Sequence, residues 1–248
     1  MRIYALGDLH LSFRQKINQT DSMADAKKYL YKPMNCFGEK WEKHHIKIFN
    51  SWNKTVSEND VVLIPGDISW AMNLEEADPD FHFLKKLSGK KILIKGNHDY
   101  WWNSISQVRQ KLPDGCRALQ NDSIVINGAA VTGTRGWVVP NNNEFDEHDE
   151  KVYNREVHRL KLSLDSISKK YNRLIVMFHY MPVNENHERN EMIDVLMEYD
   201  VHDCIYGHLH GEKAHQNRIS GTKWGINFKL VSSDFLNFKP QLVYNYHD

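Results

Sequence analysis

The chain has 248 residues, 41% of them hydrophobic, and its 32 basic and 32 acidic side chains give a formal net charge of zero. This balance argues against a general nucleic-acid binder, which carries a basic excess. Three separated cysteines, and no apolar run long enough to span a membrane, argue against a disulfide scaffold and a transmembrane protein. Asp8 comes too early for a signal peptide, so we expect a cytoplasmic protein with a single domain over residues 1–248.

Short apolar runs alternate with amphipathic stretches, which predicts an α/β protein. Strands are expected at 3–6, 61–64, 91–94, 174–178, 203–206, 228–231 and 242–246. Helices are expected at about 41–57, 73–89, 151–170 and 188–199. In the second helix, Asp78 is the predicted cap ahead of Pro79. Asn127-Gly128 predicts a β-hairpin between residues 123–126 and 129–132, because both turn residues tolerate positive φ.

Two polar stretches separate these elements. Residues 13–40 are rich in lysine, glutamine, asparagine and aspartate, which predicts an irregular excursion over the surface. Residues 141–150 are acidic and asparagine-rich, which predicts a solvated loop, with a lid over a site as the alternative.

Five of the predicted strands stop at a residue that can bind a metal ion. In chain order the stops are Asp8-Leu9-His10, Gly66-Asp67, Gly96-Asn97-His98-Asp99, His179 and Gly207-His208-Leu209-His210. The carboxyl ends of strands line the ligand crevice in α/β proteins, so these side chains are expected to converge. Residues two apart in an extended backbone point to the same side, which is expected to pair Asp8 with His10 and His208 with His210.

The set of possible ligands comprises two carboxylates, one amide oxygen and four imidazoles. Its members are Asp8, His10, Asp67, Asn97, His179, His208 and His210. Seven donors are too many for one tetrahedral zinc and suit two divalent ions that share a carboxylate. Without thiolate, such ligands suit Mn, Fe, Zn, Co or Ni. Taken singly, Asp8 and Asp67 are as compatible with turns or helix caps, and His208 and His210 could be surface histidines. Five such stops are not, however, expected to repeat this composition independently.

These motifs keep their order between residues 7 and 210 and closely resemble those of the calcineurin-like metallophosphoesterases, in their small bacterial branch. The resemblance implies a four-layer α/β/β/α sandwich, with two central mixed sheets flanked by helices. It implies that the first metal ion is held by Asp8, His10, Asp67 and His210. It implies that the second is held by Asp67, Asn97, His179 and His208. The implied activity is hydrolysis of phosphomonoesters or phosphodiesters by a metal-bridging hydroxide.

The third motif supplies the expected catalytic group. By resemblance, His98 acts as general acid or stabilises the transition state, and an imidazole beside a dimetal centre can donate a proton near neutral pH. The adjacent Asp99 is predicted to orient the His98 ring. Arg135 and Asn97 are candidates for binding the substrate phosphate, although a surface arginine is an equal alternative for the former.

Four aromatic residues follow the second and third motifs, namely Trp70, Tyr100, Trp101 and Trp102. Core packing is favoured for them over a wall that stacks on a nucleobase or aryl group. The second motif lacks the arginine-bearing segment of the family's protein phosphatases, which disfavours phosphoprotein substrates. We therefore expect a small phosphoester substrate, with nucleotide-like compounds among the candidates.

Two other functions stay open. One is a catalytically idle binding or scaffolding module of the same fold, although such modules usually lose a metal ligand or the third-motif histidine, and both are present here. The other is a DNA nuclease, although this neutral chain shows no basic track. The ligand set does not distinguish monoesters from diesters.

Overall fold

A computed structural model describes residues 1–17, 30–32, 34–141 and 145–246, and within these ranges helices alternate with strands. The helices are α1 (His44–Thr55), α2 (Leu74–Lys85), α3 (Ile105–Lys111), α4 (Glu147–Asp165), α5 (Glu191–Glu198) and α6 (Gly211–Gln216). Short 3₁₀ helices occupy Met34–Phe37 and Glu39–Trp41. The first strands are β1 (Arg2–Ala5), β2 (Val61–Pro65), β3 (Lys90–Ile94), β4 (Cys116–Ala118), β5 (Ser123–Ile126) and β6 (Ala129–Thr134). They are followed by β7 (Arg173–Phe178), β8 (Asp203–Tyr206), β9 (Gly221–Lys223), β10 (Ile226–Leu230) and β11 (Gln241–Asn245).

The strands form two mixed sheets. The first has the order β11-β1-β2-β3-β4, in which only β11 runs antiparallel to its neighbour. The second has the order β5-β6-β7-β8-β10-β9, in which the four inner strands are parallel and the two edge strands antiparallel. Since parallel strands end on the same side, the carboxyl ends of β1, β2 and β3 share one edge, as do those of β7, β8 and β10.

Alternating side chains divide the core into three apolar layers. Ile3 and Ile175 lie in the layer between the two sheets. Tyr4 and Trp52 lie in the layer between the first sheet and its helices, and Leu160 in the layer between the second sheet and α4. This order of helix, sheet, sheet and helix confirms the predicted four-layer sandwich.

The two sheets are joined at their carboxyl edges. The Gly7 backbone N–H after β1 donates to Val231 O over 2.8 Å, and Gly7 forms a parallel bridge with Ser232 after β10. The Ser233 hydroxyl donates to Gly7 O over 2.7 Å. These bonds bring the loops that follow both sets of parallel strands to a common edge.

Most of the predicted elements are confirmed within a few residues. The hairpin is present, with φ of 45° at Asn127 and 74° at Gly128, the left-handed pair that a tight hairpin turn requires. The sequence analysis missed α3, β4, α6 and β9, which have three to seven residues each. Elements this short carry too few residues for a periodic apolar pattern.

The cap predicted for the second helix is wrong. Helix α2 begins at Leu74, and its cap is Asn73, whose side chain accepts from Glu76 N over 3.0 Å. The Glu76 carboxylate in turn accepts from Met72 N and from the Asn73 side-chain amide, which resembles a capping box shifted by one residue. Pro79 lies inside the helix, where it removes one backbone hydrogen bond.

The predicted polar stretches are only partly described. The loop predicted at 141–150 is wrong for its second half, because α4 begins at Glu147 with Asp146 as its cap. Acidic residues in the first turn of a helix are favourable beside its positive end, which explains the charge of this segment. Residues 142–144 lie outside the described residues, as do 18–29 and 33 of the predicted excursion. No helix in the described ranges has the length and apolarity needed to cross a bilayer.

Asp80 of α2 connects this helix to the loops beside the strand ends. It is fully buried and accepts from Phe13 N over 2.8 Å and from the Ser69 hydroxyl. Burial raises the pKa of Asp80 to about 7. Between about pH 4 and pH 7, the Asp80 carboxyl is therefore protonated in the folded protein and ionised in the unfolded chain. Because the folded state binds the extra proton, the free energy of unfolding falls as pH rises through this range.

We predict that Asp80→Asn stabilises the protein above pH 7, by up to about 4 kcal/mol, and leaves stability near pH 4 unchanged. An amide keeps the acceptor for Phe13 N without a buried charge. Urea unfolding of both proteins at pH 4.5 and pH 8 measures the effect. An equal difference in stability at the two pH values would contradict this account.

Candidate metal centre

The loops after five strands bring the candidate ligands together. Asp8 and His10 follow β1, Asp67 follows β2, and Asn97 follows β3, all from the first sheet. From the second sheet, His179 follows β7, and His208 and His210 follow β8. The convergence expected from the strand ends is therefore present.

The local backbone achieves this differently from the extended geometry that we predicted. Asp8, His10, Asp67 and His208 have φ values of 56°, 46°, 53° and 69°, in the left-handed region. This conformation is uncommon outside glycine, although Asp and His tolerate it better than most residues. Asp8 and His10 therefore come together through tight turns, and non-glycine residues in such turns cluster at functional sites. The expected pairing of His208 with His210 is not seen, because His208 faces Asn97 and His210 faces His10.

One group of donors consists of Asp8, His10 and His210, whose ligand atoms all lie within 4.8 Å of one another. The Nε2 atoms of His10 and His210 are 3.3 Å apart, and His210 Nε2 is 3.5 Å from Asp8 Oδ1. Asp8 Oδ2 and His10 Nδ1 are buried and have no hydrogen-bond partner among the described residues. A buried carboxylate oxygen without a donor is costly, and a cation at this position would satisfy it.

A second group surrounds Asp67. Its ligand atom lies within 4.8 Å of those of Asp8 and His179. The Asn97 amide oxygen is 2.6 Å from His179 Nε2 and 3.0 Å from His208 Nδ1, so these three side chains face one point. Asp67 Oδ1 is 3.5 Å from His179 Nε2, and its Oδ2 is 3.8 Å from His10 Nε2. Asp67 thus faces both groups, as a carboxylate shared by two ions must.

The electrostatics of these groups also suit cations. Burial and the charge of Asp8 raise the pKa of Asp67 to about 8. Burial and the neighbouring His179 lower the pKa of His208 to about 3, which leaves this imidazole neutral and able to ligate. Two buried carboxylates that repel each other beside a neutral imidazole fit divalent ions, which would cancel the repulsion.

Asp234 is a residue of this site that the sequence analysis missed. Its Oδ1 is 2.8 Å from His210 Nδ1, and its Oδ2 accepts from Gly211 N over 3.0 Å. Burial alone would lower the pKa of His210. The hydrogen bonds of its ring to Asp234 and Asp8 instead raise this pKa to about 10. A carboxylate behind a histidine fixes the ring and raises its basicity as a ligand. Asp234 lies in the loop after β10, four residues beyond the end of the strand at Leu230.

Asp99 does not take the predicted role of orienting His98. Its carboxylate accepts from the backbone N–H groups of Asp67, Ile68, Ser69 and Gly96, at 2.8–3.1 Å, and from the indole of a tryptophan. The described contacts of Asp99 do not include the His98 ring. Asp99 instead fixes the loops after β2 and β3 to each other, which sets the position of Asp67.

His98 lies beside both donor groups. Its backbone N–H donates to Asp67 Oδ1 over 2.8 Å, and its Nδ1 is 3.4 Å from the Tyr100 hydroxyl. Its ring centroid is 4.3 Å from that of Trp70, which in turn stacks on His10 at 5.0 Å. Burial and the charges of neighbouring histidines lower the pKa of His98.

The four aromatic residues that follow the second and third motifs divide into two kinds. Trp101 and Trp102 are fully buried in the core, which confirms the packing role favoured for them. Trp70 and Tyr100 instead lie beside His98, and Tyr100 is 46% exposed. The packing role is therefore wrong for Tyr100, and Trp70 combines core packing with a position at the site.

Arg135 lies apart from the seven candidate ligands. Its guanidinium is 4.6 Å from the centre of the Trp137 ring and 4.0 Å from Glu156, and it lines a separate cavity that none of the seven reaches. Its backbone carbonyl accepts from the N–H groups of His179 and Tyr180 over 3.0 Å each. Binding of a substrate phosphate by Arg135 at the metal centre stays a prediction.

Comparison with known proteins gives one family match. The sequence profile of a family described as calcineurin-like phosphoesterase matches residues 1–212. Among curated proteins, none matches the chain significantly.

Similar solved structures extend over nearly the whole chain. A phosphopantetheinyl hydrolase from Mycobacterium tuberculosis is 13% identical, with a TM-score of 0.52 over 98% of this chain and 95% of that one. A protein of unknown function from Aquifex aeolicus is 13% identical, with a TM-score of 0.47 over 97% and 95%. The anchor protein GAP50 of the Plasmodium inner membrane complex is 14% identical, with a TM-score of 0.49 over 94% and 72%. At these identities the hydrolase supports the fold alone.

We predict that Asp234→Asn lowers the affinity for divalent metal ions by about 10–100-fold. The two oxygens of Asp234 face the His210 ring and Gly211 N, and asparagine keeps only one of them as an acceptor. The His210 ring therefore loses its fixed orientation. Calorimetric titration with Mn²⁺ measures the effect, and Asp122→Asn, which changes a carboxylate outside the site, serves as control. Equal affinities of Asp234→Asn and wild type would exclude this role.

Proposed function

The chain belongs to the calcineurin-like phosphoesterase family, and on that premise we propose that it hydrolyses small phosphoesters with two divalent metal ions. One observation carries the proposal: Asp67 faces two groups of possible metal ligands at once, 3.5 Å from the buried His179 and 3.8 Å from the buried His10. Turns or helix caps would not need neutral imidazoles beside a buried carboxylate oxygen, Asp8 Oδ2, which has no hydrogen-bond partner among the described residues.

The proposed ligands divide as the two donor groups do. One ion would be held by Asp8, His10, Asp67 and His210, and the other by Asp67, Asn97, His179 and His208. Imidazole and carboxylate donors without thiolate suit Mn, Fe, Zn, Co or Ni. When bound, the two ions would supply an acidified water and stabilise the charge that develops on the phosphoryl oxygens.

His98 is the proposed group that acts on the leaving oxygen. It lines the cleft in front of the donors and ligates neither proposed ion. Because its pKa is lowered, its ring is neutral at neutral pH, and a neutral ring still carries one N–H. If the Tyr100 hydroxyl donates to Nδ1, that hydrogen lies on Nε2. His98 would then donate a hydrogen bond to the leaving oxygen and stabilise the negative charge that develops there.

Two clefts flank the proposed metal centre, and they favour a diester over a monoester. The tryptophan cleft, about 340 Å³, is lined by His98, Trp41 and Trp70 on the side of His10. The tyrosine cleft, about 290 Å³, is lined by residues that include Trp137, Tyr180 and His208. A phosphodiester has an organic group on each side of phosphorus, so each cleft would hold one of them.

The two alternatives have less support. A catalytically idle module of this fold has no need of His98 in the cleft beside an intact ligand set. A nuclease needs a positively charged track for the phosphate backbone, and the chain has no net charge. A gel assay with single-stranded DNA tests the nuclease directly.

We predict that His98→Asn keeps both metal ions and lowers kcat by about 10²–10⁴-fold, because only the donor to the leaving oxygen is lost. Asp67→Asn, in contrast, should lose metal and activity together. Metal analysis beside hydrolysis of bis-p-nitrophenyl phosphate distinguishes the two variants. A near-normal rate for His98→Asn would show that this ring is not the donor.

We predict that wild type cleaves bis-p-nitrophenyl phosphate with a higher kcat/KM than p-nitrophenyl phosphate. Trp137→Ala, which opens the tyrosine cleft, should lower kcat/KM for the diester by about 3–10-fold and by less for the monoester. Trp224→Ala, at a position that lines neither cleft, should leave the ratio unchanged. Faster hydrolysis of the monoester by wild type would contradict the diester preference.

A further inference from the structure

A second cavity, separate from the proposed metal centre, lies between the ends of β3 and β6 and the side of α4. Its volume is about 190 Å³. The charged side chains that line it are those of Lys95, Arg135, Arg155, Glu156 and Arg159. We call it the arginine cavity. None of the seven proposed metal ligands lines it.

The charges in the arginine cavity do not balance. Glu156 is fully buried and is approached by Arg159 at 2.8 Å, Arg155 at 3.6 Å and Arg135 at 4.0 Å. Its other oxygen accepts from the Thr134 hydroxyl over 2.5 Å. One carboxylate therefore faces three guanidinium groups, and the ammonium of the fourth cation in the lining, Lys95, donates to a backbone carbonyl instead.

The innermost cation lacks a full set of acceptors. The side chain of Arg135 is 18% exposed, and its Nε is buried with no hydrogen-bond partner among the described residues. A buried guanidinium N–H without an acceptor is unfavourable, and so is a surplus of positive charge in a half-closed cavity. Burial lowers the pKa of Arg135, and the charges of Arg155 and Arg159 act in the same direction. An anion in the cavity would relieve both costs.

We propose that the arginine cavity binds a phosphate group, either as a free anion or as part of a larger phosphorylated molecule. Guanidinium groups present pairs of N–H donors that match the oxygens of a phosphate. Arg155 and Arg159, at 50% and 36% exposure, stand at the mouth, whereas Arg135 lies deeper. The cavity volume of about 190 Å³ is well above the space that a single water needs and leaves room for a phosphate group.

The arginine cavity adjoins the backbone of the metal centre. The Arg135 carbonyl accepts from His179 N, and Lys95 immediately precedes the Gly96-Asn97 turn. An anion held by these two cations would therefore act on the segments that carry two of the proposed ligands. Binding of the anion itself does not depend on the proposed hydrolysis.

The test is calorimetric titration of the full chain, freed of metal with a chelator, with inorganic phosphate, diphosphate and adenosine monophosphate. Removing the metal keeps phosphate from binding at the other centre. We expect saturable binding of one inorganic phosphate or diphosphate per chain. Equal binding of the nucleotide would indicate that the cavity admits a phosphate group with its substituent, and weaker binding would indicate a site for the free anion.

Variants locate the binding site. Arg155→Gln removes a cation at the mouth and should weaken phosphate binding at least about tenfold. Arg155→Lys keeps the positive charge but not the paired N–H donors, so it should lose less affinity for phosphate than Arg155→Gln does. Arg189→Gln removes an exposed arginine outside the cavity and should bind as wild type does.

The proposal would be overturned by either of two results. One is wild type that shows no saturable binding of phosphate or diphosphate without metal. The other is Arg155→Gln with wild-type affinity, with its fold verified by circular dichroism. Hydrolysis by the metal-loaded protein is measured separately, so loss of the phosphate site and failure of the proposed phosphoesterase activity give different results.

Discussion

The meeting of two sheets at their carboxyl edges is the constraint on which the rest of this structure depends. Parallel strands from each sheet end at one edge, and the bridge between Gly7 and Ser232 holds the two sets of loops together. Because the strands are rigid and buried, the loops can adopt left-handed turns without loss of the core. Asp99 then fixes the loops after β2 and β3 with four backbone hydrogen bonds. The candidate metal ligands are thus positioned by the two sheets and the loops that follow them, and not by contacts of the ligands with one another.

Charge is distributed unevenly in a chain that has no net charge. At the proposed metal centre, carboxylates and imidazoles converge, and the burial of Asp67 beside Asp8 makes a cation favourable there. In the arginine cavity, three guanidinium groups surround one carboxylate. The two sites therefore favour ligands of opposite charge, and the Arg135 backbone connects them through its bond to His179.

The sequence was sufficient to predict what depends on the pattern of apolar and polar residues, and insufficient where backbone geometry decides. The strands and the candidate metal ligands at their ends follow from apolar runs that stop at Asp or His. The left-handed turns at Asp8 and His10 cannot be predicted in this way, because the polarity of a residue carries no information on the sign of its φ angle. Asp234 was missed because two serines separate it from the strand-like run, so its carboxylate does not stand directly at a strand end. The partners of Asp99 depend on how two loops approach in space, which adjacency along the chain does not indicate.

The central claim is that Asp67 is shared by two metal ions. A crystal structure of the protein grown with Mn²⁺, with anomalous difference maps collected at the manganese edge, tests it most directly. We expect two peaks about 3.5–4 Å apart, one beside Asp8, His10 and His210 and one beside Asn97, His179 and His208, with an Asp67 oxygen between them. A single peak, or two peaks of which only one contacts Asp67, would contradict the claim.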